Sequence, residues 1–307
     1  MPKSSILFVT KIRAYLEVMR PANIVTAFAD VLAGFAVAGG AIALQSGELQ
    51  ISPEGLVWLL LSTFGLYGGG VIFNDYFDAD LDAEERPERP IPSGRLSKTE
   101  VAILGILFFL IGIGAAYQVN AYSIVLAVLI TVGSLLYDSW GKHSVLWGPL
   151  LMGLCRGWNL LLGCSIVPIT LLIDWYLPFI PITYIASITL ISQGEVHGGS
   201  QKSGFTALGL VILVTGSLLL LGAQSTYELM MALPFIIIFG GMVIPPFLKA
   251  AINPNPDFIK DAVKRGVLSL VLLNSALAAG FGGLMLGLLV VALLPISIGL
   301  AKLFAVT

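Results

Sequence analysis

Long apolar stretches, each close to the length that crosses a bilayer, dominate this chain of 307 residues. A transmembrane helix needs about 20 mostly apolar residues to cross roughly 30 Å of hydrocarbon. Such stretches fall near 22–44, 55–74, 100–117, 121–137, 145–168, 176–193, 205–223 and 229–248. Because 57% of the residues are hydrophobic and only 11% are charged, a water-soluble fold could not cover this apolar surface. We therefore expect an all-α, polytopic integral membrane bundle in contact with membrane lipid.

The last apolar stretch, 267–304, is too long for one straight span. It predicts either one span with a membrane-packed tail or two spans broken near Gly280–Gly283, giving nine transmembrane helices or ten. Asp30 would interrupt a secretory signal core, so we interpret the first apolar run as a retained helix. We find no soluble region or close repeat and expect a single domain over 1–307.

The distribution of Lys and Arg predicts the orientation of the chain. The segments 1–21, 75–99, 138–144, 194–204 and 249–266 hold all of these residues except Arg156 and Lys302. The loops between them, near 45–54, 118–120, 169–175 and 224–228, hold none. Positive residues favour the cytoplasmic side, so we expect the N-terminus and the basic segments there. The net charge of −2 argues against a nucleic-acid partner.

Three carboxylates follow the second apolar stretch at helical spacing. If that helix continues, Asp75, Asp78 and Asp82 fall within about 60° of one another, while Asp80 points elsewhere. Such a concentration of negative charge is unfavourable without a cation. Mg²⁺ is the natural candidate, because it binds one or two carboxylates and bridges to phosphates, and Asn74 can add a neutral oxygen. The alternative is a solvated acidic loop.

A basic, proline-rich loop comes directly after the carboxylates. Arg86 and Arg89 can neutralise a diphosphate through forked hydrogen bonds. Three prolines and Gly94 restrict the shape of the loop. The alternative assigns these arginines only to topology or salt bridges.

These residues resemble a known family. Asn-Asp-x-x-Asp-x-x-x-Asp at 74–82, followed by Arg-Pro-x-x-Pro-Ile-Pro-Ser-Gly at 86–94, is similar to the first signature of the UbiA superfamily of intramembrane prenyltransferases. The stretch 19–23, the pair Tyr137 and Lys142, and the stretch 156–163 resemble further patterns of that family. The resemblance implies a ring of about nine helices with a polar site over an apolar tunnel.

The resemblance also implies Mg²⁺-dependent transfer of a prenyl group from a prenyl diphosphate to an aromatic or other small hydrophobic acceptor. The implied catalytic residues are Asp75, Asp78 and Lys142. The implied substrate-binding residues are Asn23, Arg86, Arg89, Tyr137, Lys142, Arg156, Asn159 and His197. The implied metal ligands are Asn74, Asp75, Asp78, Asp82 and Glu195.

The second acidic motif departs from the family pattern. In the string Gln193–Gly199, Glu195 takes the place of the first Asp, and Gly199 replaces the second. This string resembles a branch called EboC, found in small bacterial operons linked to secondary metabolites. That likeness implies a bacterial inner membrane and operon partner proteins. It also keeps open a non-catalytic subunit that binds or carries a prenyl lipid or metabolite.

The altered motif lies on the same predicted side as the first one. Glu195 could therefore hold a second Mg²⁺ on the same diphosphate. His197 could donate to phosphate, act as a general base, or only satisfy a loop carbonyl. The surrounding glycines would let backbone amides approach an anion.

Ionisable residues inside spans are functional candidates by default. Asp30 shares the inner face of the first helix with Asn23 and Thr26, and Arg156 shares a stripe with Asn159. Arg156 could bind substrate or order the acidic site, or form a buried ion pair with Asp30 or Asp75. A transporter could also use intramembrane carboxylates, but usually near the midplane. Carboxylates at helix ends beside arginines favour diphosphate.

Overall fold

The chain folds as a succession of helices, which we number in chain order. The computed structural model describes residues 3–39, 53–144, 146–195 and 198–304, and every regular element in these ranges is helical. The first seven helices are α1 (Lys3–Met19), α2 (Pro21–Val37), α3 (Pro53–Phe77), α4 (Ala79–Glu85), α5 (Lys98–Tyr117), α6 (Ala121–Ser139) and α7 (Trp147–Cys164). The others are α8 (Thr170–Ile173), α9 (Phe179–Ser192), α10 (Gln201–Leu220), α11 (Leu229–Ile252), α12 (Pro256–Gly282), α13 (Leu284–Val291) and α14 (Leu293–Leu303).

Seven segments within the described ranges are long and apolar enough to cross a membrane. They are Glu54–Phe77, Lys98–Tyr117, Ala121–Ser139, Gln201–Ala223, Leu229–Ile252, Pro256–Gly282 and Leu284–Leu303. The predicted all-helical, multi-span architecture is confirmed. Whether nine or ten helices span the bilayer stays a prediction.

Three shorter helices occupy the other predicted spans. α2, α7 and α9 have 17, 18 and 14 residues. The predicted span at 176–193 is too long, because the chain turns at 174–177 and Pro178 precedes the first residue of α9. The part of the first predicted span beyond residue 39 lies outside the described residues.

The basic segment 249–266, which we expect outside the hydrocarbon, is mostly helical. Only residues 253–255 join α11 to α12, and the side chain of Asn255 accepts hydrogen bonds from the backbone N–H groups of Asp257 and Phe258 at 2.9 and 3.2 Å. This N-cap starts α12 several turns before its apolar part, so the charged turns extend the helix instead of forming a loop. At the other end, Gly283 (φ 84°) separates α12 from α13, within the range where the two-span alternative places the break.

α12 lies at the centre of the bundle. Every residue from Ser269 to Gly282 is buried, as expected for a helix that is covered on all sides. α12 packs against α2, α9, α11 and α13. α12 therefore supports α2 from the buried side of the bundle.

α2 and α7 approach each other backbone to backbone. A Cβ atom added to Gly34 would lie 2.0 Å from the carbonyl oxygen of Leu160, and one added to Gly163 would lie 2.3 Å from that of Val31. Small residues permit this distance between helices in membrane proteins. The contact brings the polar residues of the two helices within reach of each other.

The predicted motifs gather at one end of the bundle, which we call the site end. Contacts there join the α1–α2 link to α3, and α3 to α6 and the turn after it. At the opposite end, the side chain of Asn120 donates to the carbonyl oxygen of Ser165 at 2.7 Å. This alternation agrees with the predicted parity of the loops, although the side of the membrane that the site end faces stays a prediction.

Candidate functional site

The three predicted carboxylates lie where α3 passes into α4. The helix is interrupted at Asp78, yet the backbone N–H of Asp82 still donates to the carbonyl oxygen of Asp78 at 2.7 Å. Asp75 and Asp82 are both buried and share the guanidinium of Arg89, at 3.5 and 2.7 Å. Asp80 points away from them, with its side chain 94% exposed. Asp75 and Asp82 therefore still lie on one side and Asp80 lies on another, as the spacing predicts, although the helix is interrupted at Asp78.

Cationic side chains from three parts of the chain face these carboxylates. Arg20 pairs with Asp75, and Lys142 pairs with Asp78. Arg86 lies 3.8 Å from Asp82. The first motif, its following loop, the α1–α2 link and the turn after α6 therefore form one polar cluster.

The basic loop is fixed to α1 and to its own backbone. Arg95 pairs with Glu17 at 2.6 Å and donates to the carbonyl oxygen of Glu88 at 2.7 Å. A capping box between Ser97 and Glu100 then starts α5. These contacts, together with the prolines, position Arg86 and Arg89 beside the carboxylates.

Arg20 was not among the predicted site residues. It links α1 to α2 in the left-handed conformation (φ 43°, ψ 66°), which is uncommon for a residue other than glycine. Pro21 disfavours a helical conformation for the residue before it, so the helix breaks there. The break directs the side chain of Arg20 to Asp75, and the signal in the sequence was the Arg-Pro pair itself.

Asp138 is a second residue that the sequence did not single out. Its buried carboxylate accepts a hydrogen bond from the side-chain amide of Asn74 at 2.9 Å. The amide nitrogen of Asn74 is thereby directed to Asp138, which leaves its oxygen on the other side. The sequence feature that could have indicated Asp138 is its position next to Tyr137, between the two residues of the Tyr137 and Lys142 pattern.

A cavity of about 270 Å³ opens beneath the cluster, between α2, α3, α6 and α7. Its lining includes the predicted residues Asn23, Asn74 and Tyr137, together with Arg20, Leu66, Tyr67, Gly70, Val71, Ile130, Ser134, Asp138, Met152 and Cys155. Polar groups lie nearest the site end and apolar groups lie deeper. The cavity can therefore hold a molecule with an anionic head and an apolar body.

Arg156 and Asn159 lie below this cavity in a buried polar network. Arg156 pairs with Asp30 at 2.8 Å, and Asn159 donates to Asp30 at 3.1 Å. Thr63 donates to the side-chain oxygen of Asn159 at 2.8 Å. Neither Arg156 nor Asn159 is among the residues that line the cavity. The geometry favours the alternative of a buried ion pair with Asp30 over direct contact with substrate.

The altered second acidic motif, Gln193–Gly199, comes near the polar cluster at Glu195. Burial raises the pKa of the Glu195 carboxyl above its ordinary value, while the nearby charges of Lys260 and Arg86 oppose the shift. The backbone N–H of Gly199 donates to the carbonyl oxygen of Pro254 at 3.0 Å. His197 lies outside the described residues, so its predicted role stays a prediction.

The residue types at the site fit Mg²⁺, although ion pairs hold the carboxylates apart. Across the described ranges, no three acidic, histidine or cysteine side chains converge as a metal would require. The carboxylates and the amide oxygen of Asn74 are the hard oxygen donors that Mg²⁺ prefers. They would have to exchange their present cations for the metal.

The helices enclose a cavity below a cluster of paired carboxylates and arginines. This arrangement defines a membrane protein that can bind an amphiphilic anion. Residues 32–253 match the UbiA prenyltransferase family, and the chain belongs to that family.

Curated relatives match about half of the chain. The digeranylgeranylglyceryl phosphate synthase of Methanopyrus kandleri is 33% identical over 154 residues, which cover 50% of this chain and 53% of the relative. The enzyme of the same name from Methanosarcina mazei is 36% identical over 167 residues, covering 50% and 55%. The chain thus spans about half the length of these relatives.

Solved structures agree with the fold over most of the chain. A structure of digeranylgeranylglyceryl phosphate synthase gives a TM-score of 0.67 at 20% identity, covering 89% of this chain and 99% of that one. A UbiA homolog from Archaeoglobus fulgidus, bound to DMAPP and Mg²⁺, gives a TM-score of 0.62 at 13% identity, covering 91% and 99%. These likenesses establish the arrangement of helices.

Proposed function

We propose that this chain transfers a prenyl group from a prenyl diphosphate to a small acceptor at the membrane, with Mg²⁺ as cofactor. The observation that carries the proposal is a cluster of carboxylates paired with arginines and a lysine at the mouth of a largely apolar cavity. The family membership supports prenyl transfer, and the names of the relatives support it further.

The charges of the cluster suit a metal diphosphate. Four carboxylates lie near four cationic side chains, namely Asp75, Asp78, Asp82 and Asp138 with Arg20, Arg86, Arg89 and Lys142. The opposite charges in the cluster largely offset one another, so a bare diphosphate would bring negative charge that the cluster could not fully compensate. If the metal arrives with it, the carboxylates and Asn74 can hold the metal, and the cationic side chains can turn to the phosphate oxygens.

The same residues would assist the transfer. The bond between the first prenyl carbon and the diphosphate oxygen breaks, and its electron pair leaves with the diphosphate. Arg86, Arg89 and Lys142 would stabilise that developing charge, to which bound Mg²⁺ would add its own neutralisation. Leu66 and Ile130 line the deeper part of the cavity, which would hold the prenyl tail and exclude water from beneath the allylic cation. The acceptor then bonds to the carbon and releases a proton.

The acceptor that we propose carries a glyceryl phosphate group. The names of the curated relatives support this choice over the aromatic acceptor that the sequence first suggested. Arg20 lies beside Asn23 at the mouth of the cavity, where its guanidinium can turn from Asp75 to such an anion.

The second candidate is a carrier that binds the diphosphate without turnover. The observation in its favour is the altered second motif, in which Glu195 remains and Gly199 has replaced the other carboxylate. The EboC-like branch and its operon partners are proposals that depend on this same string. Release of diphosphate, measured separately from binding, distinguishes the carrier from the enzyme.

Two neighbouring aspartates provide the test of the site. Asp78→Asn should weaken Mg²⁺-dependent binding of a prenyl diphosphate by about tenfold or more, because it removes a metal ligand that Lys142 now holds. Asp80→Asn should change it less than about twofold, since Asp80 is exposed and lies 3.6 Å from Lys98 alone. Titration calorimetry with and without a chelator measures both. Equal losses would show that the segment acts only as a charged surface.

A further inference from the structure

The cavity has a defined inner end. On α3, the lining residues run from Asn74 at the mouth to Tyr67 and Leu66, seven and eight residues deeper, which is about 10–12 Å along a helix. Ile130 and Cys155 are the deepest lining residues on α6 and α7. Tyr67 is the largest of these inner side chains, and the polar network lies directly beyond it.

Tyr67 is held in place by that network. Its hydroxyl accepts a hydrogen bond from Arg156 at 2.7 Å, and the guanidinium carbon of Arg156 lies 4.7 Å from the ring centre. Arg156 is itself fixed by Asp30 at 2.8 Å, and Asn274 donates to the other carboxylate oxygen of Asp30 at 2.6 Å. The ring therefore forms a rigid wall rather than a movable side chain.

The space beyond Tyr67 is unsuited to a hydrocarbon. A longer tail would have to displace the ring and contact Arg156, Asp30 and Asn159, whose buried polar atoms would lose hydrogen bonds. At about 30 Å³ per heavy atom, roughly the share of a water molecule in the liquid, the cavity holds on the order of nine heavy atoms. That number is close to two isoprene units.

We propose that Tyr67 determines the length of prenyl donor that this chain accepts, by closing the cavity after about two isoprene units. The inference rests on the proposed function, because it assumes that the diphosphate binds at the carboxylates and the tail points inward. It sets this chain apart from relatives whose names specify geranylgeranyl groups of four units.

Donor-length preference provides the test. Binding of C5, C10, C15 and C20 prenyl diphosphates with Mg²⁺ is compared by competition in detergent-solubilised protein. The unmodified chain should favour the C10 donor over the C15 donor by about tenfold, and Tyr67→Ala should remove most of that preference, because the deleted ring is close in size to one isoprene unit. Tyr67→Leu, which keeps an apolar side chain of intermediate size, should give an intermediate value and serves if the alanine variant does not fold.

Phe64→Ala is the matched control. Phe64 lies one turn before Tyr67 on α3, packs against Phe108 with ring centres 5.1 Å apart, and is not among the residues that line the cavity. It should leave the preference for donor length unchanged. An equal shift in the Phe64 and Tyr67 variants would overturn the inference, because it would reflect general loosening of α3.

The thiol of Cys155 reports how far the tail reaches. In a Cys164→Ala background, the C10 donor should protect Cys155 from N-ethylmaleimide several-fold better than the C5 donor does. If no donor binds to the unmodified chain, the proposed function fails. If all donors bind equally well and Tyr67→Ala changes nothing, the inference about length fails while the proposed function stands.

Discussion

The ion pair between Arg156 and Asp30 shows how one buried residue can serve the site without touching it. Arg156 also donates to Thr26 at 3.1 Å and to Tyr67, so its charge is surrounded by hydrogen-bond acceptors. A buried charge that is fully paired is tolerated, whereas one left without its partner is strongly unfavourable. The pair therefore fixes the relative positions of α2, α3 and α7.

Removing one partner should cost more than removing both. We expect Arg156→Gln to lower the free energy of unfolding by about 3–5 kcal/mol, because the Asp30 carboxylate stays buried without its cation. Adding Asp30→Asn should restore part of the loss. Thermal unfolding of the two single variants and the double variant measures the coupling.

An exposed pair is the control for that cycle. Arg265 and Asp261 lie 3.0 Å apart on the surface of α12, and Arg265→Gln should cost about 0–1 kcal/mol. If the buried and exposed pairs give the same loss, or the double variant loses the sum of the singles, Arg156 and Asp30 are not coupled.

At the scale of residues, the sequence predicted which side chains lie together when they belong to one segment with helical spacing. Asp75, Asp78 and Asp82 repeat at helical intervals, so their shared face could be inferred within one segment. Arg20 and Asp138 could not be assigned in this way, because their partners lie on other helices. Such pairs depend on how the helices pack against one another, and the apolar pattern around each residue does not predict that packing.

At the scale of elements, hydrophobicity predicted which segments are helices better than where they end. The last apolar stretch begins at 267, whereas α12 begins at Pro256, because apolar content marks the hydrocarbon-facing part of a helix and not its full length. α9 was predicted too long because an apolar composition does not distinguish a helix from buried turns. The close approach of α2 and α7 required knowledge of which glycines face each other.

Gly34→Ala should destabilise the fold through that approach. Its Cβ would meet backbone atoms of α7, which cannot move aside as a flexible side chain can, so we expect a loss of about 1–3 kcal/mol. Gly216→Ala on α10 meets nothing within 4 Å and should be neutral or slightly stabilising, because alanine favours helix. Thermal unfolding midpoints of the two variants measure this difference. Similar midpoints would mean that α2 and α7 are not in such close contact.

At the scale of the whole molecule, the site is assembled from segments far apart in sequence. Arg20, Asp75, Asp138 and Glu195 come from four separate parts of the chain and meet at the site end. Because one site draws on residues from 20 to 195, we propose that the helices over this range belong to the same domain, within the single domain expected for 1–307.

The orientation of the site end is open to direct measurement. In a chain that lacks Cys155 and Cys164, Glu88→Cys places a thiol at the site end and Gln118→Cys places one at the opposite end. With the site end in the cytoplasm, a membrane-impermeant maleimide added to intact cells should label only the Gln118 variant, and permeabilisation should expose the Glu88 variant. Labelling of the Glu88 variant in intact cells would reverse the predicted topology.

The pairing of the motif carboxylates with cations has a consequence for the order of events at the site. Asp75, Asp78 and Asp82 each face an arginine or a lysine, so a metal or a phosphate arriving alone must break an ion pair without restoring it. When both arrive, the released cations and carboxylates find new partners. Each ligand then raises the affinity for the other by the same factor. Abundant Mg²⁺ alone would leave the cluster paired, and the arrival of the donor would be the event that recruits the metal.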